Sequence, residues 1–150
     1  MLRRILLVTF ILSIAAGLLT GCGSTSSKTP TAVDHAMKMA PMSMMPEEVK
    51  SAPVVTQQAY QFAVANPDVV QHIPCYCGCG AMGHTSNYAC YVQSVDADNT
   101  VKFDLHAIGC SICVDITQDA VRLTKEGKSP QDIKLYVDKT YSRFGPSNMQ

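Results

Sequence analysis

Residues 110–141, CSICVDITQDAVRLTKEGKSPQDIKLYVDKTY, decide the fold. Ile116, Ala120 and Leu123, with Val121 alongside, recur at the spacing that gathers side chains on one face of a helix. Gly127 supplies a stop, because glycine takes the left-handed conformation that ends helices without a Cβ penalty. A second helix opens at once. Ser129 is placed to cap it, Pro130 stands at its first position, where a missing N–H costs nothing, and Asp132 completes the start signal. Ile133, Tyr136, Val137, Thr140 and Tyr141 share one face, and Gly145-Pro146 ends the element. Two apolar faces joined by a short connection pack as a helical hairpin.

Working outward, residues 56–66 carry Ala59, Tyr60, Phe62 and Ala63 in the pattern of a short amphipathic helix. Asn66-Pro67-Asp68 ends it or starts a further turn, since proline disfavours a helical residue before it. Residues 88–95 and 101–105 read as two short strands around the turn-rich Asp96-Ala97-Asp98-Asn99-Thr100. The expected fold class is mainly α: a small, cysteine-rich helical domain over residues 54–150, with a C-terminal helical hairpin and a minor β-hairpin.

Between the first helix and the hairpin lies the chemistry. The run Pro74-Cys75-Tyr76-Cys77-Gly78-Cys79-Gly80 packs three thiols into five residues, and Cys90, Cys110 and Cys113 follow. Adjacent thiolates oppose one another unless a cation or oxidation intervenes. Glycine at 78 and 80 lets the backbone wrap so that several sulfurs meet. The Cys110-x-x-Cys113 pair sits at a helix start, where free amides favour a thiolate.

Three readings stay open. Clustered thiolates, with His84 and His106 as secondary ligands, suit a soft metal ion, Cu or Zn. A structural zinc contributes on the order of ten kcal/mol of folding free energy, which would offset a meagre core. Alternatively, Cys110 and Cys113 serve thiol–disulfide exchange. The third reading is a staple of three disulfides, each contributing roughly two to four kcal/mol. Bridges between Cys75 and Cys77 or between Cys77 and Cys79 would be badly strained, so a staple needs distant partners among Cys90, Cys110 and Cys113. Each histidine also has a plainer reading: His84 as a turn hydrogen-bonder, His106 as a cap or orienting group. His72 is the weakest candidate. No Gly-x-Ser-x-Gly elbow, phosphate-cradling loop or paired-carboxylate site stands out, so hydrolysis is not expected.

The N-terminus bears on the redox setting. Arg3 and Arg4 precede an apolar stretch over 5–19 that is too short to span a bilayer, as in secretion signals. Leu19-Thr20-Gly21-Cys22 resembles the lipobox of bacterial lipoproteins. That resemblance implies a signal peptide over 1–21, cleavage before Cys22, lipid on its sulfur and an extracytoplasmic, membrane-anchored protein. Outside the cytoplasm disulfides persist, which keeps the staple reading alive. Residues 22–53, rich in Ser, Thr, Pro, Ala and Met, are expected to be a disordered tether. Within it His35, Met37, Met39, Met42, Met44 and Met45 are weaker candidate Cu(I) ligands, or mere linker composition. Twelve basic against twelve acidic residues, with no basic stripe, exclude nucleic acid as an expected partner. The expected partners are the membrane and a metal-receiving or thiol-exchanging protein.

The PCYCGC run, followed by Gly83-His84, Ser86-Asn87, Cys90, His106 and Cys110-x-x-Cys113, resembles the PCYCGC-motif lipoproteins, a bacterial family without an assigned activity. The resemblance spans residues 54–141 and implies the lipoprotein address and no reaction. Residues 110–141 are also similar to the thiol-reductant subunit of cytochrome c maturation, in which a CxxC lies between helices of a small bundle. This chain departs from that family by lacking Leu-Arg before the first Cys and by adding the CxCxC run.

Overall fold

The computed structural model describes residues 37–149. Among them are a four-residue helix α1 (Glu47–Lys50), α2 (Val54–Ala65), the short α3 (Pro67–Val70), strands β1 (Val92–Val95) and β2 (Val101–Phe103), and the long helices α4 (Ser111–Lys125) and α5 (Pro130–Tyr141). The domain is mainly α, with α2 packed on α4, α4 on α5, and α3 against both.

Local signals account for the helix boundaries. The Ser129 hydroxyl accepts the Asp132 N–H while the Asp132 carboxylate accepts the Ser129 N–H, a complete capping box with Pro130 inside it. At the end of α4, Gly127 takes φ +74°. The Lys128 N–H then reaches the Leu123 carbonyl at 3.0 Å and the Gly127 N–H reaches Thr124 at 2.9 Å, which satisfies carbonyls the helix would leave bare. Ile116, Ala120 and Leu123 of α4 and Ile133, Val137 and Tyr141 of α5 are buried, as are Ala59, Tyr60, Phe62 and Ala63 of α2. Burying one such aliphatic or aromatic side chain contributes about 1.5–3 kcal/mol.

Two tyrosines tie this core to the cysteine region. Tyr60 and Tyr91 meet edge to face at 4.9 Å, both fully buried. Each hydroxyl has a destination: Tyr60 donates to the Asp104 carbonyl at 2.9 Å and Tyr91 to the Cys113 carbonyl at 2.8 Å. Their hydroxyls thus fix the backbone at two points around the thiols.

Two expectations about extent are corrected. The tether does not run to residue 53, because the chain is already packed from Met37. Ala40, Met45 and Val49 are buried in the core and Met37, Met39 and Met42 lie against it. Gln61 clamps Ala40 from both sides, its carbonyl accepting the Ala40 N–H at 3.0 Å and its side-chain amide donating to the Ala40 carbonyl at 2.7 Å. Asn66 donates to the Lys38 carbonyl at 2.8 Å, and Gln57 to those of Lys50 and Ala52. Outside the short α1 the segment shows no periodicity, since side-chain amides on and beside α2 satisfy part of its backbone in place of a regular ladder. The second correction concerns the first strand. Tyr88–Cys90 is a 3₁₀ turn, and only Val92–Val95 pairs with Val101–Phe103, with an irregularity between Val92 and Ser94. Asn99 at φ +66° turns the hairpin.

Candidate metal centre

The site assembles from three pieces of chain. The first is the PCYCGC run, in which Gly78 at φ +84° and Gly83 at φ +89° bracket a single 3₁₀ turn, Cys79–Met82. No neighbour lies within 4 Å of where a Cβ would stand on either glycine, so the left-handed backbone alone calls for glycine there. The second piece is the stretch after β2, where a 3₁₀ turn, His106–Gly109, leads into Cys110. The third is the start of α4, with Cys110 as N-cap and Cys113 buried in the first turn.

Distances between sulfurs limit what the cluster can be. A disulfide requires about 2.05 Å. Cys75 lies 3.3 Å from Cys113 and 3.4 Å from Cys77, Cys77 is 3.6 Å from Cys113, and Cys79 is 3.7 Å from Cys90. All six are free thiols. Two thiolates bound tetrahedrally to one zinc at about 2.3 Å stand about 3.8 Å apart. The observed spacing is therefore close to the edge of a metal-thiolate tetrahedron and far from a bond between sulfurs.

Nitrogen donors complete the arrangement. His106 Nε2 is 3.5 Å from Cys77 Sγ. Cys77, His106, Cys110 and Cys113 place donor atoms within 4.8 Å of one another, and so do Cys79, His84, Cys90 and His106. The first set is the more open, since Cys77, His106 and Cys110 are half-buried; in the second, Cys79, His84 and Cys90 are buried. Asp104 contacts both histidines, His84 through its ring and His106 through its backbone. Its Oδ1 accepts the His106 backbone N–H at 2.8 Å, and its Oδ2 faces His84 Nε2 at 3.3 Å. A carboxylate behind an imidazole fixes which nitrogen carries the proton and aims the other.

Electrostatics show why these thiols call for a partner. Hydrogen bonds from Cys113, then Cys90, hold the Cys75 thiol far below its ordinary range. Cys113 is pushed up through donating to Cys75, while burial, then the Cys75 thiolate, raises Cys77 and Cys79. One negative charge thus suppresses the next, and a cation at the centre reverses that by favouring every thiolate at once.

The C-terminal segment closes over the run. Asn148 Oδ1 accepts the Cys75 N–H at 2.6 Å, its own N–H reaches the Cys75 carbonyl at 3.1 Å, and its side-chain amide donates to Cys79 Sγ at 3.5 Å. Gly145 allows the approach, because a Cβ there would sit 3.0 Å from the Tyr76 carbonyl oxygen. Tyr76 itself is buried and donates to Asp138 at 2.7 Å.

All eight Cys and His candidates of the core set are thereby brought together, while His72 is exposed and outside every group. The methionines go elsewhere. Met45 is 2% exposed in the apolar core, Met44 is 46% exposed, and Met37 lines a groove with Thr124 and Lys128. That groove is at the far end of α4 from Cys113, about 16 Å away at 1.5 Å per residue. Met37 therefore does not extend the thiol cluster. His35, Cys22 and the expected signal lie outside the described residues. Asp104 and Asn148 are the residues sequence reasoning missed. Asp104 has a faint signal, two residues before a histidine, whereas Asn148 has none.

A family model described as "Protein of unknown function with PCYCGC motif" matches residues 8–147. No curated protein and no solved structure matches the chain. The similarity of residues 110–141 to the cytochrome c maturation reductant gains no support from these comparisons. With the match running from before the first helix to the segment that closes over Cys75, the chain belongs to the PCYCGC-motif family of proteins of unknown function.

Proposed function

We propose that this protein is a lipid-anchored extracytoplasmic carrier of a soft metal ion, Cu or Zn, held by its Cys-His centre and passed to a receiving protein. The observation that carries this is the set Cys77, His106, Cys110 and Cys113, four donors within 4.8 Å and three of them half-buried. A fully enclosed site favours permanent retention, whereas half-buried thiolates let an incoming thiol replace ligands one at a time. The Met-rich segment no longer argues for copper, because its buried members fill the core as methionine commonly does. The lipobox-like Leu19-Thr20-Gly21-Cys22 supports the membrane address and the lipid on Cys22.

The test is elemental analysis and intact mass of the full chain, purified in detergent without oxygen and again in air. Stoichiometric Cu or Zn in the reduced protein, lost in Cys77→Ser, is the expected result. A metal-free protein about 6 Da below its reduced mass, two hydrogens for each of three bridges, would overturn the reading in favour of disulfides. Facile disulfide exchange between metal-free Cys110/Cys113 and a CxxC peptide, without metal retention, would favour the reductant reading instead.

A further inference from the structure

One ion in the outer set leaves donors without a role. Cys79, Cys90 and His84 converge within 4.8 Å of one another and are all buried. His84 shows the need most plainly. With its proton on Nε2, where Asp104 faces it, Nδ1 keeps a lone pair, yet Nδ1 is buried and has no hydrogen-bond partner. Buried polar atoms are seldom left so, and an unpaired one calls for an explanation such as an ion.

Cys75 stands between the two sets. Its sulfur lies within 4.8 Å of Cys77 and Cys79 in one group, and of Cys90 and Cys113 in another. It thus neighbours thiols of the outer set and of the inner set alike. A thiolate sulfur carries several lone pairs and can bind two soft cations at once. Two four-coordinate ions sharing one thiolate need seven donors, and six cysteines with two histidines supply eight.

Resting on the metal-binding reading above, we propose that the centre is binuclear. An outer ion is held by three of Cys77, His106, Cys110 and Cys113, an inner ion by Cys79, Cys90 and His84 Nδ1, and the Cys75 sulfur bridges the two. The inner ion satisfies the stranded His84 nitrogen. The bridge uses a sulfur that neighbours thiols of both sets, and the outer ion remains the exchangeable one.

Co(II) is a suitable probe, because its thiolate charge-transfer bands count the ions and its unpaired spins report a bridge. The full chain in detergent, reduced and stripped of metal, is titrated with Co(II) without oxygen and followed by native mass, absorption and electron paramagnetic resonance. Saturation at two equivalents is expected, with a spin signal weaker than twice that at one, because a shared sulfur couples the ions. His84→Ala should saturate at one equivalent, and Cys75→Ser should lose the coupling together with one equivalent. Saturation of the wild type at one equivalent would overturn the binuclear centre while leaving the carrier reading standing. Two uncoupled ions, or two equivalents retained by His84→Ala, would overturn the assignment of bridge or inner site. No binding at all would remove the carrier reading as well, so the two failures are distinguishable.

Discussion

Two sulfur-rich regions of this chain look alike as composition and differ in every physical respect. Around Met37 to Met45 the sulfur atoms are thioethers set among Ala40, Val49 and the surface of α2, and Gln61 and Asn66 satisfy the local backbone. Around Cys75 to Cys79 they are ionisable thiols 3.3–3.7 Å from other thiols, with two imidazoles and a carboxylate behind them. The contrast teaches that sulfur content is not a ligand signal. What makes a site is convergence of donors together with groups that orient them. The Met segment has burial without convergence; the cysteine centre has both.

The strongest way to break this comparison is to remove what the thiols converge upon. Chelation of the metal-loaded protein should unfold or loosen the cysteine end, since a structural thiolate site can contribute on the order of ten kcal/mol. Thermal melts before and after chelation, followed by circular dichroism, check this. An unchanged melting temperature would mean that the core of Tyr60, Phe62, Tyr91 and Ile116 carries the fold alone. Next in size is Met45→Ala. Truncating a methionine that is 2% exposed should destabilise by about 2–5 kcal/mol through lost burial and a cavity, with metal stoichiometry unchanged. Urea denaturation and elemental analysis read the two effects separately.

Asp104→Asn addresses the groups behind the ligands. The asparagine keeps an acceptor for the His106 N–H but weakens the hold on His84, so metal affinity should fall about 10–100-fold. Competition against a chromophoric chelator measures it, and an unchanged affinity would show that the histidines are aimed by packing alone. Ser129→Ala, at the remote start of α5, should cost about 1 kcal/mol of stability and no affinity. It serves as the control that separates folding from binding.

How much of this was readable in the chain depends on the range of the cause. Ser129, Pro130 and Gly127 act on backbone groups within a few residues, so the hairpin of α4 and α5 was legible with its ends. The donors of the centre were legible as residue types, because thiols and imidazoles have few other uses in such density. Their grouping was not, since it depends on Gly78 and Gly83 shaping the turn from which Cys79 reaches Cys90. Asn148 was illegible for the same reason, as its partners Cys75 and Cys79 lie some seventy residues away. The order of the Met segment was illegible because low periodicity does not exclude it: the backbone is held by Gln57, Gln61 and Asn66 on or beside α2.

The smallest expected effect is the most searching test of the comparison. Met45→Leu and Met39→Leu keep nearly the same apolar volume and delete the sulfur. If these methionines are packing residues, each substitution should change stability by less than about 1.5 kcal/mol and leave Cu(I) stoichiometry and affinity untouched. If their thioethers serve copper, packing survives and a Cu(I) equivalent or its affinity is lost. Met45→Ala cannot make this distinction, because a loosened core could disturb the thiol centre indirectly. The leucine variants separate volume from ligand chemistry, which is the difference between the two sulfur-rich regions. A Cu(I) titration under a competing ligand that gives superimposable curves for wild type and both variants would place the methionines in the core and nowhere else.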